Sequence, residues 1–477
     1  MGATIVRKMA RMKYLTLALV VIGGSADIAG AGTINVSSPQ DLVAAIGAAQ
    51  PGDEIVLADG TYALTGVSCS NPGTSAQPIT VRAATPLGAK IQFDALEGFH
   101  VTAANWHFDG LDVTGVCADD SACEHAFHVT GAADGFVLRN SKLTDFNAQL
   151  KVNAVRINGS YVMPNQGIVE YNEVGDTRGR NTSNPVTKLN IDTGMDWVVR
   201  GNYLHDAYKL GGDGVSYESF MKSGGARGTY ERNLVICSRA TTGGTRIGLS
   251  FGGGGTGAQY CAPAYDPNVP CTVEHSDGVM RNNIIVNCSD VGIYINRGKS
   301  TRILYNTLIA TAGIDFRFDT TVGEAAGNLL ADSIHLRDGG TFTDGGNMTN
   351  VADTTFAAWY RAPLAGDLAV IGDVSSLISA GPMRPDVTND YCAQARPATM
   401  LTLGAIEHSV GTCDTTRPPV GMPPGGGSDA GVQPGDDEGT GGGGCCQTGG
   451  RSDGALALGL ALVVGVLLAR RRSRIGQ

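Results

Sequence analysis

Lys222 stands mid-chain in the run Phe220-Met221-Lys222-Ser223-Gly224-Gly225 and is the first candidate for chemistry. A lysine acts as a base only after its ammonium loses a proton, which partial burial or a neighbouring cation promotes. Groups that could create that setting lie close in sequence: Asp213 and Glu218 before it, Arg246 after it, and Glu274-His275-Ser276-Asp277 further on. An imidazole titrates near neutral pH, so His275 between acids suits a general base or a metal ligand, although a solvated turn accounts for the same spacing. The stretch from Asp213 ends in four glycines, Gly252 to Gly255, which leave the backbone open to a large ligand. His125 and His128 follow Cys123 closely enough to suggest zinc, but a Cys117–Cys123 disulfide is the simpler reading. His205-Asp206 ends a repeat strand and reads as structural. No phosphate loop, dinucleotide fingerprint, serine-hydrolase elbow or paired-cysteine zinc motif is present.

These residues must be held by many short elements. Of 477 residues, 68 are glycine and only 6% aromatic, a composition of strands and turns rather than of long helices. A strand, an asparagine and a second apolar pair recur at Asn140, Asn172, Asn202, Asn233, Asn283, Asn306 and Asn328, with separations of 32, 30, 31, 50, 23 and 22 residues. The shortest period fits three short strands and three turns, one rung of a parallel β-helix. An asparagine at a fixed turn can take left-handed angles and pass amide hydrogen bonds from rung to rung. The 50-residue gap holds the glycines and the excursion Cys261 to Cys271, expected as a clasp beside a groove. Ser38-Pro39 opens an amphipathic helix ahead of the first strands, suited to covering the open end of a stack.

Net charge and the termini bound the function classes. A formal charge of -10 and a pI near 5.3 exclude a general nucleic-acid binder. Between Lys222 and Arg302, however, nine Lys or Arg face five Asp or Glu, so an acidic ligand could be drawn there. Arg7 to Lys13, the apolar run Tyr14 to Ile22 and small residues to Ala31 predict a signal peptide over 1–31. A folded domain is expected over 32–413, a Pro/Gly-rich linker over 414–444 and an anchor or sorting segment over 445–477. In that segment Cys445-Cys446, the apolar run Ala455 to Ala469 and Arg470-Arg471-Arg472 resemble the C-terminal sorting tails of myxobacterial surface proteins; a plain membrane anchor is the alternative. The expectation is an exported monomer at the cell surface or outer membrane, with a C-terminal membrane contact. Eleven cysteines suit an oxidising compartment; Cys117 with Cys123, Cys261 with Cys271, Cys392 with Cys413 and Cys237 with Cys288 are candidate pairs, none decided by sequence.

The runs PGDEIVLADGTY and QPITVRAAT resemble the opening coils of the chondroitinase-B and alginate lyase group of polysaccharide lyases, and the resemblance extends to DYCAQARPATMLTLGAIE. It implies an all-β, right-handed parallel β-helix (solenoid) with an N-terminal capping helix. It also implies β-elimination on a uronic acid unit, with Ca²⁺ neutralising the carboxylate and Lys222 at the position of the catalytic lysine. Where the group carries calcium-binding acids, five and seven residues before that lysine, this chain has Tyr217 and Val215, so Asp213 and Glu218 are the nearest candidates for metal. Where the group carries an arginine in the next coil, this chain has Ser250 and Phe251, with Arg246 nearest. The expected set is Lys222 as base with Arg246 and His275 as helpers, acting on an acidic polysaccharide. A non-catalytic carbohydrate-binding or adhesin-like protein is the alternative, as is a glycoside hydrolase built on Asp213 with Glu218 or Glu274 with Asp277.

Overall fold

The structure, a computed structural model, describes residues 31–253 and 255–416. The expected C-terminal segment lies outside the described residues, as do the signal peptide but for residue 31 and the linker but for residues 414–416. No helix among the described residues is long and apolar enough to cross a membrane.

The chain winds as a right-handed parallel β-helix. Each coil gives one short strand to each of three parallel sheets; Glu54–Leu57, Gly60–Leu64 and Val67–Cys69 make one turn, and Ile79–Ala83 begins the next above Glu54–Leu57. In the first two sheets most strands need only three to five residues, because each need point only one or two side chains inward. In the first sheet Val81, Phe108, Leu138, Val169, Val199, Tyr230, Met280, Ile303 and Ala325 stand in register through the centre, all fully buried. Phe93, Phe99, Phe108 and Phe127 fill the wide early coils, with ring centroids 4.9–5.1 Å apart. Burial of such stacked apolar area is the main stabilising term.

The turn between the first and second sheets carries the asparagine ladder. Each amide nitrogen donates to the oxygen of the next: Asn172 to Asn202 (3.0 Å), Asn202 to Asn233 (3.1 Å), Asn233 to Asn283 (2.9 Å), Asn283 to Asn306 (2.9 Å), Asn306 to Asn328 (3.0 Å) and Asn328 to Asn347 (2.8 Å). Two expectations are corrected. The left-handed residue is the one before each ladder asparagine, for example Tyr171, Arg232 and Tyr305 with φ of 57°, 56° and 54°, because the ladder residue must turn its amide inward. Asn140 is itself such a preceding residue (φ 52°), and Ser141 occupies the ladder position, its amide donating to Asn172 Oδ1 at 2.9 Å.

The helix α1 (Pro39–Ala48) covers the N-terminal end as expected; Ser38 Oγ accepts from the Asp41 amide at 3.1 Å, and Leu42, Ala45 and Ile46 are buried. All four candidate disulfides are present, and Cys69 is a buried free thiol. The stretch 348–416 folds back over the outer face of the second sheet, where Phe356, Tyr360, Leu377 and Leu403 share a core with Leu234, Ile236, Ile284 and Ile309. The outer face of the first sheet alternates in sign along the row Arg82, Asp109, Arg139, Glu170, Arg200, Glu231 and Arg281. The third sheet is thus left to carry a site.

Candidate functional site on the third sheet

Three consecutive strands of the third sheet, Ala148–Asn153, Val186–Asp192 and Val215–Lys222, end in the same pattern of outward residues two apart. Register places Asn153, Asp192 and Lys222 in one row and Lys151, Asn190 and Phe220 in the row beside it. Lys151 Nζ donates to Asn190 Oδ1 (3.1 Å) and Asp192 Oδ2 (2.9 Å), while Lys222 Nζ lies 3.9 Å from Asp192 Oδ1 and 5.2 Å from the centre of the Phe220 ring. Two ammonium groups therefore face one carboxylate. Burial alone would push the Asp192 carboxyl up, but Lys151, Lys222 and the Ser223 hydroxyl outweigh it and hold the group well below the usual carboxylate range. Burial lowers Lys151, aided by the like charge of Lys222 and opposed by Asp192.

The next coil props this cluster. Ser223 Oγ donates to Asp192, and the Ser223 amide donates to Glu274 Oε2 at 3.0 Å. Thr256 Oγ1 also donates to Glu274 Oε2, at 2.7 Å, so a buried carboxylate ties the lysine turn to the glycine-rich segment. A Cβ on Gly253 would lie 3.1 Å from Lys222 Cδ and 3.4 Å from the Phe220 ring. That glycine thus makes room for the lysine itself. The Cys261–Cys271 excursion stands beside the site: Tyr265 stacks on Tyr161 of the hairpin Val155–Ile157/Ser160–Val162 with centroids 4.4 Å apart, and its hydroxyl lies 3.4 Å from Thr193 Oγ1.

The other expected residues are not brought to Lys222. Arg246 pairs in register with Ser216, six residues before Lys222, which puts it about 20 Å away along the strand direction. It is buried there, donating to the carbonyls of Cys237 (2.6 Å), Thr241 (3.0 Å) and Gly243 (2.8 Å), with its guanidinium 4.3 Å from the Tyr208 ring centre. His275 points into the coil interior, stacked on Phe251 at 4.3 Å, its Nε2 accepting from the Gly228 amide at 3.3 Å. Burial pushes its imidazole down to about 3. The expectation of one groove shared by Lys222, Arg246 and His275 is therefore corrected: a strand end, a loop socket and the apolar core hold them apart.

The calcium donors do not fit either. Asp213 is exposed and accepts from Lys209 Nζ (2.8 Å) and the Val215 amide (3.1 Å). Glu218 is fully buried, accepts from the Ala207 amide (2.9 Å) and is pushed up to about 8 by burial. A hard cation needs six to eight oxygens around it, and a salt-bridged surface acid with a buried carboxyl of raised pKa does not supply them. The buried setting of Glu218, like that of Glu274, also removes both expected carboxylate pairs from the groove face. Between Asn190 and Asp192, where outward oxygens do converge, Lys151 already supplies the positive charge. Sequence reasoning overlooked Lys151, Asn190 and Asp192. The available signal was Lys151-x-Asn153, Asn190-x-Asp192 and Phe220-x-Lys222 recurring once per coil.

The family model described as Chondroitinase B matches residues 36–108, a stretch that ends before Lys151, Asp192 and Lys222. No curated protein matches the chain. The solved structure of pectate lyase Pel9A superposes with a TM-score of 0.53 at 16% identity, covering 79% of this chain and 96% of that one. An alginate lyase from Paenibacillus sp. str. FPU-7 gives 0.41 at 16% identity, covering 65% and 99%. A rhamnogalacturonan lyase gives 0.44 at 14%, covering 69% and 92%. The first likeness shows the shared β-helix; at such identity none carries the chemistry of the site.

Proposed function

We propose that this protein binds an acidic polysaccharide along the third sheet and cleaves it by β-elimination at Lys222. The observation that carries the reading is the pair of lysines, Lys151 and Lys222, sharing the one carboxylate of Asp192 on an outward face. Two ammonium groups beside one accepting carboxylate favour an anionic sugar unit over a neutral one. Lys151, fixed by Asn190 and Asp192, serves as the positive centre for the uronate carboxylate. Lys222 makes no short hydrogen bond to Asp192 and is the freer of the two. In its neutral form Lys222 Nζ takes the proton from the carbon next to the carboxylate. The released electron pair forms the carbon–carbon double bond as the bond to the departing glycosidic oxygen breaks. The new Lys222 ammonium returns its proton to that oxygen, so the step balances without Arg246 or His275. The name of the structurally similar pectate lyase supports this reading at the level of fold and substrate class.

We further propose export to the cell surface, supported by four disulfides in the described residues and by the basic-apolar-small order of the N-terminus. Incubation with alginate, pectate and glycosaminoglycans, read by ultraviolet absorbance of the unsaturated product, tests the activity. Product formation that is lost in Lys222→Ala is expected; a substitution that leaves the rate unchanged overturns the role of Lys222. Because Arg246 is held away from Lys222, binding without cleavage is the second reading. Retained binding of one of these polymers with no product from any of them would establish it.

A further inference from the structure

On the two coils that precede the lysine cluster, the outer face of the same sheet carries four ionisable residues in two matched i,i+3 pairs. Glu97 and His100 lie on Glu97–Val101, His125 and His128 on His125–Thr130, with Glu97 opposite His125 and His100 opposite His128. The Cys117–Cys123 disulfide removes Cys123 as a partner for these histidines. Instead, Glu97 stands between two imidazoles. His128 Nδ1 lies 2.7 Å from Glu97 Oε1 and His100 Nδ1 lies 3.8 Å from Glu97 Oε2, and the three ligand atoms all fall within 4.8 Å of one another. The two rings are nearly parallel, 18° apart with centroids at 5.3 Å, so both Nδ1 atoms face the same carboxylate.

The second nitrogen of each ring is held from the far side. His128 Nε2 lies 3.1 Å from Asn153 Oδ1, an acceptor, and His100 Nε2 lies 3.3 Å from Thr130 Oγ1. With Asn153 Oδ1 and Thr130 Oγ1 holding the Nε2–H groups, an ion displaces the proton that His128 Nδ1 donates to Glu97 Oε1 and takes both Nδ1 lone pairs, which is how metal-ligating histidines are oriented. Zinc bonds of about 2.0 to 2.1 Å in a tetrahedron need ligand atoms roughly 3.3 Å apart, a value bracketed by the 2.7 and 3.8 Å separations seen here. His100 and Glu97 are part-exposed, which leaves an entry path. The ring of His125 lies 5.0 Å from His128, and its buried Nδ1 makes no hydrogen bond.

We propose that Glu97, His100 and His128 form a binding site for a divalent transition-metal ion of the zinc type, with a coordination position left open on the outer face of the third sheet. Two nitrogens and one carboxylate oxygen select such an ion over calcium or magnesium, which take oxygen donors. His128 is the register neighbour of Lys151, so the open position falls in the same outward row as the lysine cluster, one strand spacing of about 4.8 Å beyond it. The metal site stands on its own geometry and does not depend on cleavage at Lys222. Untagged full-length protein, stripped with a chelator, would be titrated with Zn²⁺, with Ca²⁺ and with Co²⁺ by calorimetry and, for Co²⁺, by visible absorption. One equivalent of Zn²⁺ is expected, at least 100-fold weaker in both Glu97→Gln and His100→Gln, and about 10- to 100-fold weaker in Asn153→Ala. His335→Ala, far along the sheet, should match the parent. Absence of a Zn²⁺ equivalent, equal affinity for Ca²⁺, or unchanged Zn²⁺ affinity in both Glu97→Gln and His100→Gln in a protein of unaltered circular dichroism overturns the proposal.

Discussion

The outer faces of the first and third sheets are built on the same backbone and use charge in opposite ways. On the first sheet each acid has its own base: Arg139 with Asp109 at 2.8 Å, Arg200 with Glu170 at 2.7 Å, Arg281 with Glu231 at 2.6 Å. Such cross-strand pairs stabilise the stack and leave nothing for a ligand to neutralise. On the third sheet Lys151 and Lys222 share Asp192, and Asn190 is a neutral helper. The difference between a matched ladder and an unmatched cluster separates a structural face from a binding face more clearly than exposure does, since both sets are partly buried.

Breaking the unmatched cluster should have the largest effect. Lys222→Ala is expected to lower the elimination rate at least about 100-fold, the usual range for loss of a general base, with the fold retained by circular dichroism. Lys151→Gln should act mainly on substrate affinity, raising KM roughly 10- to 100-fold with a smaller change in kcat, because it removes a charge-assisted contact to the substrate carboxylate. A reversed pattern, with kcat lost and KM kept, would exchange the roles of the two lysines.

Acid acts on imidazoles that packing has desolvated, His275 in the coil interior and His125 on the third sheet. His275 and His125 are each pushed down to about 3 by burial, so the folded state refuses a proton that the unfolded chain accepts near 6.5. Their contribution to stability is fully present above pH 6.5 and is lost as pH falls from there towards 3. The urea midpoint should drop across that window, with His107 and His408, each pushed down to about 4 by burial, adding to the drop, and more shallowly in His275→Phe, which removes one of these groups. The smallest effect belongs to the matched ladder: Arg200→Gln should cost about 0.5 to 1 kcal/mol by denaturant unfolding and leave elimination unchanged. A large loss of activity in Arg200→Gln would erase the distinction between the two faces.

The repeat was legible because its cause is local. Every coil must turn at the same place, and the turn needs an asparagine whose amide reaches the next rung, so Asn172 to Asn328 marked the solenoid, its period and its long excursion. Lys222 was legible by its surroundings of small residues, and α1 by Ser38 and Pro39. The offset at Asn140 was not, since a left-handed residue and a ladder residue are both commonly asparagine and differ only in which way the amide points.

What the sequence by itself determined is the coil and its capping helix, because these follow from periodicity and turn chemistry within about 30 residues. What only the tertiary structure decided is which residues meet. Lys151, Asp192 and Lys222 are brought together by register between successive rungs, and so are Glu97, His100 and His128. Arg246 and His275, closer to Lys222 in sequence than Lys151 is, are carried off to a loop socket and to the core. In a parallel β-helix, neighbours in space are one full coil apart in the chain, and a shift of a few residues along a strand separates side chains by more than any hydrogen bond can span.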